Sequence, residues 1–301
     1  MEVDSRLARK IEGGGFIVTA EYLPAATVDS SVVEAAIDAL ADGPLAVNVA
    51  DNHYGVAMSS LAASVAMIKS GIEPVYQLVT RDRNRIALQS DLLGAAYLGI
   101  KNVLCLSGYH QTLMGCPASA NVYDIDSIQL VAAVKKMRDE GVLLDGAEIS
   151  GSCSMLAGAV ANPYLRPLEL NMIRLGKKIE AGASFVQTQA VFDTTEFSRW
   201  LDAARSEGVT EETAILAGML PLDSAAEAEK LCGTYTDFRI PDELIERLKA
   251  AGDPEAQKKE GLAVCAETIK EIKDMDGLRG IHILSGGKEA VVPELLAASG
   301  L

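Results

Sequence analysis

Glu21 is the residue of this sequence best placed for acid–base chemistry. It closes a short apolar segment and stands next to Tyr22 and Leu23. Apolar neighbours keep water away from a carboxyl group and raise its pKa, so that it can donate a proton near neutral pH. A glutamate at the end of a strand that pairs with a nearby arginine is the alternative interpretation.

Gln187 and Gln189 form a second candidate group, because residues two apart on a strand share one face. A buried amide needs partners for its donors and its acceptor, and a ligand that has both supplies them. Lys177 and Lys178 could meet a phosphate, which a lysine contacts as a point charge. The alternatives are a glutamine pair that only supports the site and a basic helix end favoured by the helix dipole.

The densely charged segment TRDRN at 80–84 precedes a predicted helix. Alternating charges at a helix start can cap the helix and pair with one another. We therefore interpret Arg81 and Asp82 as mainly architectural.

These candidates lie close after short apolar segments, and helical patterns separate most of the segments. This order is typical of a (β/α)8 barrel, in which the residues that follow each strand converge on one open face. We therefore predict an α/β protein with a (β/α)8 fold and its site at the carboxyl ends of the strands. The eight segments are 16–21, 45–52, 74–82, 103–110, 156–163, 185–189, 215–221 and 280–284.

A single barrel domain over 1–301 suits this length. Residues 1–12 are predicted to form a short lead-in helix with Leu7 and Ile11 on one face. The connection over 224–275 is longer than a usual crossover and predicts an elaborated helical segment. A hydrophobic fraction of 49% and a mean hydropathy of +0.17 supply enough apolar material for a core.

The chain carries 27 basic and 42 acidic residues, which give a net charge of −15. This balance disfavours nucleic acid, whose binding depends on basic side chains that neutralise phosphates, and it favours solubility. No apolar run reaches the length of about 18 residues that suggests a membrane span. The acidic start of the chain has no signal-peptide pattern, so we expect a cytoplasmic protein.

The five cysteines and three histidines are too scattered to indicate a disulfide framework or a metal site. His282 alternates with Ile281 and Ile283 in the last predicted strand. Its side chain therefore faces either the barrel interior or the surrounding helices, and we expect it to be structural rather than catalytic.

Motifs along nearly the whole chain resemble the methylenetetrahydrofolate reductase family of flavin barrels. Their order and spacing agree with short bacterial members that consist of the catalytic domain. The matching motifs are VTAEYLP at 18–24, ADN at 50–52, QLVTRDRN at 77–84, VLCLSG at 103–108, VQTQAVFD at 186–193, AGMLP at 217–221 and RIP at 239–241.

The resemblance implies FAD along the strand ends and hydride transfer from its reduced ring to methylenetetrahydrofolate. Glu21 matches the family's general acid, Gln189 matches the glutamine that binds the pterin, and Gln187 and Tyr109 are expected to contact the folate. NAD(P)H or a protein partner would supply the electrons. Residues at positions implied to contact the flavin or its phosphates are Asp51, Asn52, Gln77, Gly108, His110, Asn162, Lys177 and Lys178.

Tyr109 departs from the family pattern, which usually has an aspartate at this position. Loss of a carboxylate should raise the flavin potential and removes a charge-assisted hydrogen bond to the pterin. Three functions remain open. They are a reductase with a retuned flavin, a flavin-free folate protein that serves methyl transfer with a corrinoid protein, and a non-catalytic subunit of a redox complex. We also expect a homo-oligomer.

Overall fold

Eight parallel strands form a closed barrel in sequential order, which confirms the predicted (β/α)8 fold. The computed structural model describes residues 3–235 and 238–301. Thus Met1 and Glu2 of the predicted lead-in helix, and Thr236 and Asp237 of the predicted elaborated segment, lie outside the described residues. The strands are β1 (Ile17–Tyr22), β2 (Ala46–Val49), β3 (Pro74–Val79), β4 (Asn102–Leu106), β5 (Leu156–Ala161), β6 (Phe185–Ala190), β7 (Ala214–Met219) and β8 (Leu278–Ile283).

The helices surround the barrel, and many begin at a side chain that caps the first turn. Asp29, Asn84 and Asp253 each accept a hydrogen bond from a backbone N–H of the helix that follows them. The helices are α1 (Arg6–Glu12), α2 (Ser30–Leu40), α3 (Ser60–Lys69), α4 (Arg85–Tyr97), α5 (Ser127–Asp139), α6 (Leu168–Glu180), α7 (Thr194–Ser206), α8 (Val209–Glu212), α9 (Ala225–Thr234), α10 (Asp242–Ala250), α11 (Pro254–Ile272) and α12 (Val291–Ser299).

Helix α1 covers the amino-terminal end of the barrel. Its Leu7 is fully buried in a cluster with strand residues such as Ile17, Val75 and Phe185. The Glu73 carboxylate accepts hydrogen bonds of 2.7 and 2.9 Å from the first two backbone N–H groups of the helix. The helix begins at Arg6 rather than at the chain start, because the preceding serine side chain caps it. This end of the barrel is therefore packed, and the opposite end is left for a site.

Three helices, α9 to α11, lie between β7 and β8 and build a small apolar cluster of their own. Leu222, Ile240 and Leu248 are buried in it. Helix α11 passes so close to the loop after β7 that a Cβ added at Gly261 would lie 1.8 Å from the Leu222 carbonyl oxygen. Within the described part of the chain, no helix combines the length and apolar character that crossing a bilayer requires.

Candidate active site

A cavity of about 520 Å³ opens at the carboxyl ends of the strands. Its size falls within the range of about 300–1,000 Å³ that is usual for small-molecule sites. Of the residues predicted to form the site, those that line the cavity are Glu21, Asp51, Gln77, Gly108, Tyr109, Asn162, Lys178, Gln187 and Gln189. Asn52, His110 and Lys177 do not line it.

Glu21 occupies an inward position of β1 and is only 5% exposed. Burial, with a smaller contribution from the negative charge of Glu289, raises the pKa of its carboxyl group to about 8. A hydrogen bond from the Gly286 backbone opposes these two effects without cancelling them. Glu289 is itself held by the Leu23 backbone N–H at 3.2 Å and the Ser285 hydroxyl at 3.4 Å. Glu21 is therefore protonated at neutral pH and can act as an acid.

Tyr109 lies at the mouth of the cavity beside Gln189. The Gln189 Nε2 group donates a hydrogen bond of 3.4 Å to the Tyr109 hydroxyl. The Tyr109 ring packs on Tyr235 with centroids 4.9 Å apart, and Tyr235 packs on Phe238 at 6.0 Å. An aromatic row thus stands where the sequence resemblance implies a carboxylate.

Gln187 lies deeper, at the floor of the cavity, and is 2% exposed. It exchanges two hydrogen bonds with Asn48 across the barrel, of 2.7 and 3.1 Å. Its Nε2 also donates to the Thr19 hydroxyl at 3.2 Å, and that hydroxyl lies 2.9 Å from His282 Nδ1. Burial lowers the pKa of His282 to about 3, so the ring is neutral.

Gln77 on β3 lines the cavity, is 5% exposed, and has a side-chain amide without a hydrogen-bond partner in residues 3–235 and 238–301. The amide faces the cavity, where a ligand with hydrogen-bonding groups could supply the partners that the protein does not. This amide therefore favours a binding site here.

Asp51, although it lines the cavity, is engaged by the protein itself. Its carboxylate accepts hydrogen bonds of 2.6 and 3.2 Å from Arg83 and of 3.0 Å from the Val79 backbone. Arg81 binds the Asp82 carboxylate through two nitrogens, at 2.7 and 2.8 Å. The Asp51–Arg83 contacts join the loops after β2 and β3. Arg81, interpreted from the sequence as mainly architectural, also lines the cavity.

The basic residues of α6 divide between the cavity and the surface. Lys178 is half-buried, and its Nζ donates to the Val160 carbonyl oxygen at 2.5 Å. Burial, with a smaller contribution from the charge of Arg174, lowers the pKa of Lys178 to about 8. Arg174 also lines the cavity, whereas Lys177 is exposed outside it. His110 is exposed and lies 2.8 Å from the Asn121 amide.

The sequence profile described as methylenetetrahydrofolate reductase matches residues 6–300, nearly the whole chain. This chain belongs to the methylenetetrahydrofolate reductase family. In residues 3–235 and 238–301, no group of three or more His, Cys, Asp or Glu side chains is arranged to hold a metal ion.

Relatives in this family are about a quarter identical to the chain within the aligned stretches. A probable methylenetetrahydrofolate reductase (NADPH) of Caenorhabditis elegans is 23% identical over 81% of this chain and 34% of its own length. The 5,10-methylenetetrahydrofolate reductases of Pectobacterium carotovorum and Escherichia coli are 24% and 23% identical, over 71% of this chain. The chain spans 65% and 66% of those two bacterial proteins.

A solved structure from Clostridium thermocellum shares the fold, with a TM-score of 0.69 and 16% identity. The match covers 98% of each chain. That protein binds two copies of 5-methyl-5,6,7,8-tetrahydrofolic acid.

His282, Arg174 and His53 line the cavity of this family member but were not predicted as site residues. His53 also borders a second cavity of about 450 Å³, between the loops after β1 and β2. Burial and the charge of Arg81 lower the pKa of His53 to about 4. For His282, the alternation in β8 left two orientations open, and the structure selects the inward one. For His53 and Arg174, no sequence motif signalled a place in the site.

Proposed function

We propose that this protein reduces 5,10-methylenetetrahydrofolate to 5-methyltetrahydrofolate, with Glu21 as the proton donor. The observation that carries this proposal is the Glu21 carboxyl group, which is buried in the cavity and protonated at neutral pH. Membership of the reductase family and the names of the bacterial relatives support the choice of substrate.

Glu21 would act on the five-membered ring that bridges the two folate nitrogens. Proton transfer from the carboxyl group to the departing nitrogen lets the ring C–N bond break, and the remaining nitrogen forms an iminium with the bridging carbon. The iminium carbon then accepts a hydride and becomes the methyl group. Glu21 is left as a carboxylate, whose burial favours recovery of a proton from solvent.

The cavity residues fit the ring system of a flavin. The Gln77 amide lacks a protein partner, Leu104 and Val160 provide apolar walls, and Lys178 places a cation among the lining residues. Gln77, Gly108, Asn162 and Lys178 are the residues that would hold FAD. The chemistry that a bound reduced flavin would supply is the hydride, and NAD(P)H or a protein partner would supply its electrons.

Gln189 would orient the folate. Its amide can both donate to and accept from a pterin ring, and it lines the same cavity as Glu21. The contact between Gln189 and the Tyr109 hydroxyl would be exchanged for contacts with the folate when the substrate binds.

Tyr109 favours a second candidate, a flavin-free protein that binds tetrahydrofolate and serves methyl transfer with a corrinoid protein. Its ring reaches Gln189 and packs on Tyr235, so an aromatic side chain fills part of the mouth. The protein of similar fold from Clostridium thermocellum, which binds 5-methyl-5,6,7,8-tetrahydrofolic acid, supports folate binding by this chain.

An absorption spectrum of the purified protein, repeated after addition of FAD and desalting, separates the two candidates. We expect flavin bands that survive desalting, followed by anaerobic formation of 5-methyltetrahydrofolate when the flavin is reduced chemically. A colourless protein that binds 5-methyltetrahydrofolate would instead establish the second candidate. A protein that binds neither compound would refute both.

A further inference from the structure

We propose that His282 donates a hydrogen bond from its Nε2–H group to an acceptor atom of the bound heteroaromatic ring. The residue would thus select ligands that present a ring carbonyl or ring nitrogen to the cavity floor. This inference rests on the proposed function, because it concerns the same cavity and the same class of ligand.

A chain of hydrogen bonds lies behind His282. Gln187 Nε2 lies 3.2 Å from the Thr19 hydroxyl oxygen, and because an amide nitrogen can only donate, the hydroxyl accepts this bond. The Thr19 proton is then free for His282 Nδ1, which lies 2.9 Å away. The alternative acceptor, the Ile281 carbonyl oxygen, is farther away at 3.5 Å. From the shorter distance we infer that Thr19 donates to Nδ1, in which case Nδ1 carries no proton.

The orientation of the two amides fixes the direction of this chain. As the structure places them, both hydrogens of Gln187 Nε2 are used, one for Thr19 and one for the Asn48 carbonyl oxygen. Asn48 in turn donates to Gln187 Oε1 at 2.7 Å. Turning both amides over would leave a buried N–H of Gln187 without an acceptor, which is costly. The orientation in the structure is thus the favoured one.

The His282 ring is neutral and carries a single ring proton. His282 is 3% exposed, and no charged group accounts for the depressed pKa, which burial alone explains. A neutral imidazole carries one proton, and if Nδ1 accepts then Nε2 must hold it. Among residues 3–235 and 238–301, Nε2 has no hydrogen-bond partner, although His282 lines the cavity. A buried donor without a partner therefore faces the place where the ligand would lie.

The chemistry of this donor restricts the ligand. A neutral N–H group binds carbonyl oxygens and pyridine-type nitrogens, and both pterin and flavin rings carry such atoms. An aliphatic or purely hydrocarbon ring would cover the donor without accepting its hydrogen bond, which disfavours such a ligand. The neighbouring Gln187 is held by Asn48 and Thr19, so His282 is the donor of this group that remains available.

Nuclear magnetic resonance tests the tautomer without any ligand. The chain has only three histidines, and His282→Gln identifies the signals of this ring. In a long-range proton–nitrogen correlation spectrum at neutral pH, we expect Nε2 to be protonated and Nδ1 to be an acceptor. Thr19→Val should remove this preference and populate both tautomers. A protonated Nδ1 in the unmodified protein would overturn the proposal.

Binding of FAD and of 5-methyltetrahydrofolate to matched variants tests the donor itself. His282→Leu removes the N–H group and should weaken binding of at least one of these two probes by about tenfold, the size expected for one hydrogen bond. His282→Gln keeps an N–H near the Nε2 position and should bind within about threefold of the unmodified protein. Circular dichroism spectra should show that both variants are folded.

The outcomes separate this inference from the proposed function. If His282→Leu binds every probe that the unmodified protein binds, and binds each equally well, the inference is wrong and the proposed function stands. If the unmodified protein binds neither probe, the proposed function fails and the inference fails with it.

Discussion

The Glu21 carboxyl group gains and loses its proton in a pH range that ordinary buffers reach. Replacing it by glutamine keeps the size of the side chain and removes the acid. We expect Glu21→Gln to slow folate reduction by about a hundredfold or more, as for other lost general acids, while folate binding remains. Single-turnover reduction of 5,10-methylenetetrahydrofolate measures the effect, and titration with 5-methyltetrahydrofolate is the control. Undiminished turnover would remove Glu21 from the mechanism.

Glu289 offers a way to move the pKa of Glu21 without touching the acid. In the proposed mechanism only protonated Glu21 supports reduction, so the rate should fall as the pH rises through about 8. Glu289→Gln removes a negative charge that raises this pKa, and the fall should then occur at lower pH. The measurement is the rate of folate reduction as a function of pH in both proteins. An unshifted profile would show that the charge of Glu289 does not act on Glu21.

Tyr109 should set the potential of a bound flavin. Tyr109→Asp returns a negative charge to the mouth of the cavity, which opposes the anionic reduced flavin and should lower its reduction potential. Tyr109→Phe keeps the ring, adds no charge, and is the matched control. Spectroelectrochemical titration of the FAD-loaded proteins measures the three potentials. Equal potentials in all three would mean that Tyr109 does not approach the flavin ring.

At the scale of elements, helix α11 depends on a glycine where it crosses the loop after β7. A Cβ at Gly261 would clash with the Leu222 carbonyl oxygen, whereas one at Gly94 of α4 meets nothing within 4 Å. Gly261→Ala should lower the free energy of unfolding by about 2 kcal/mol or more through strain. Gly94→Ala should raise it by about 0.5–1 kcal/mol, since alanine is the better helix former. Urea denaturation of both variants shows whether the clash with Leu222 or the helix propensity of alanine determines the change in stability.

The sequence predicted most elements because local patterns determine them. The apolar residues of Ser30–Leu40 recur at a helical period, and the structure has α2 there, with Asp29 as its cap. Residues 141–155 had no regular pattern, and the structure shows a turn closed by a single bridge between Val142 and Glu148. Helices α8 and α12 were not predicted. The first is only four residues long, too short for a period to be read.

The site was harder to predict, because side-chain direction depends on how elements pack. Lys177 and Lys178 are adjacent on α6, yet only Lys178 reaches the cavity. Successive residues on a helix point about 100° apart. When α6 packs on the barrel, only one of the two adjacent lysines can therefore face the cavity. His282 was expected to be structural, and its direction follows from the closure of β8 against β1, a pairing between distant parts of the chain.

At the scale of the whole molecule, α1 should support the fold without taking part in the site. Leu7 is fully buried at the end of the barrel opposite to the cavity, and Leu7→Ala should destabilise the protein by about 2–5 kcal/mol. Lys10→Ala on the exposed face of the same helix should change stability by less than about 0.5 kcal/mol. Urea denaturation measures both, and binding of 5-methyltetrahydrofolate in water should be unchanged. Weakened binding in folded Leu7→Ala would contradict this separation.

The protonated acid in the barrel also has a thermodynamic consequence for the entire chain. The Glu21 pKa is about 8 in the folded protein and near 4.5 in the unfolded chain, so the unfolded state releases the proton first. Folding stability therefore falls as the pH rises from about 4.5 to about 8, at a rate of up to about 1.4 kcal/mol per pH unit. An amide at position 21 would be free of this penalty. Resistance to unfolding and the capacity to donate a proton thus oppose each other at this residue.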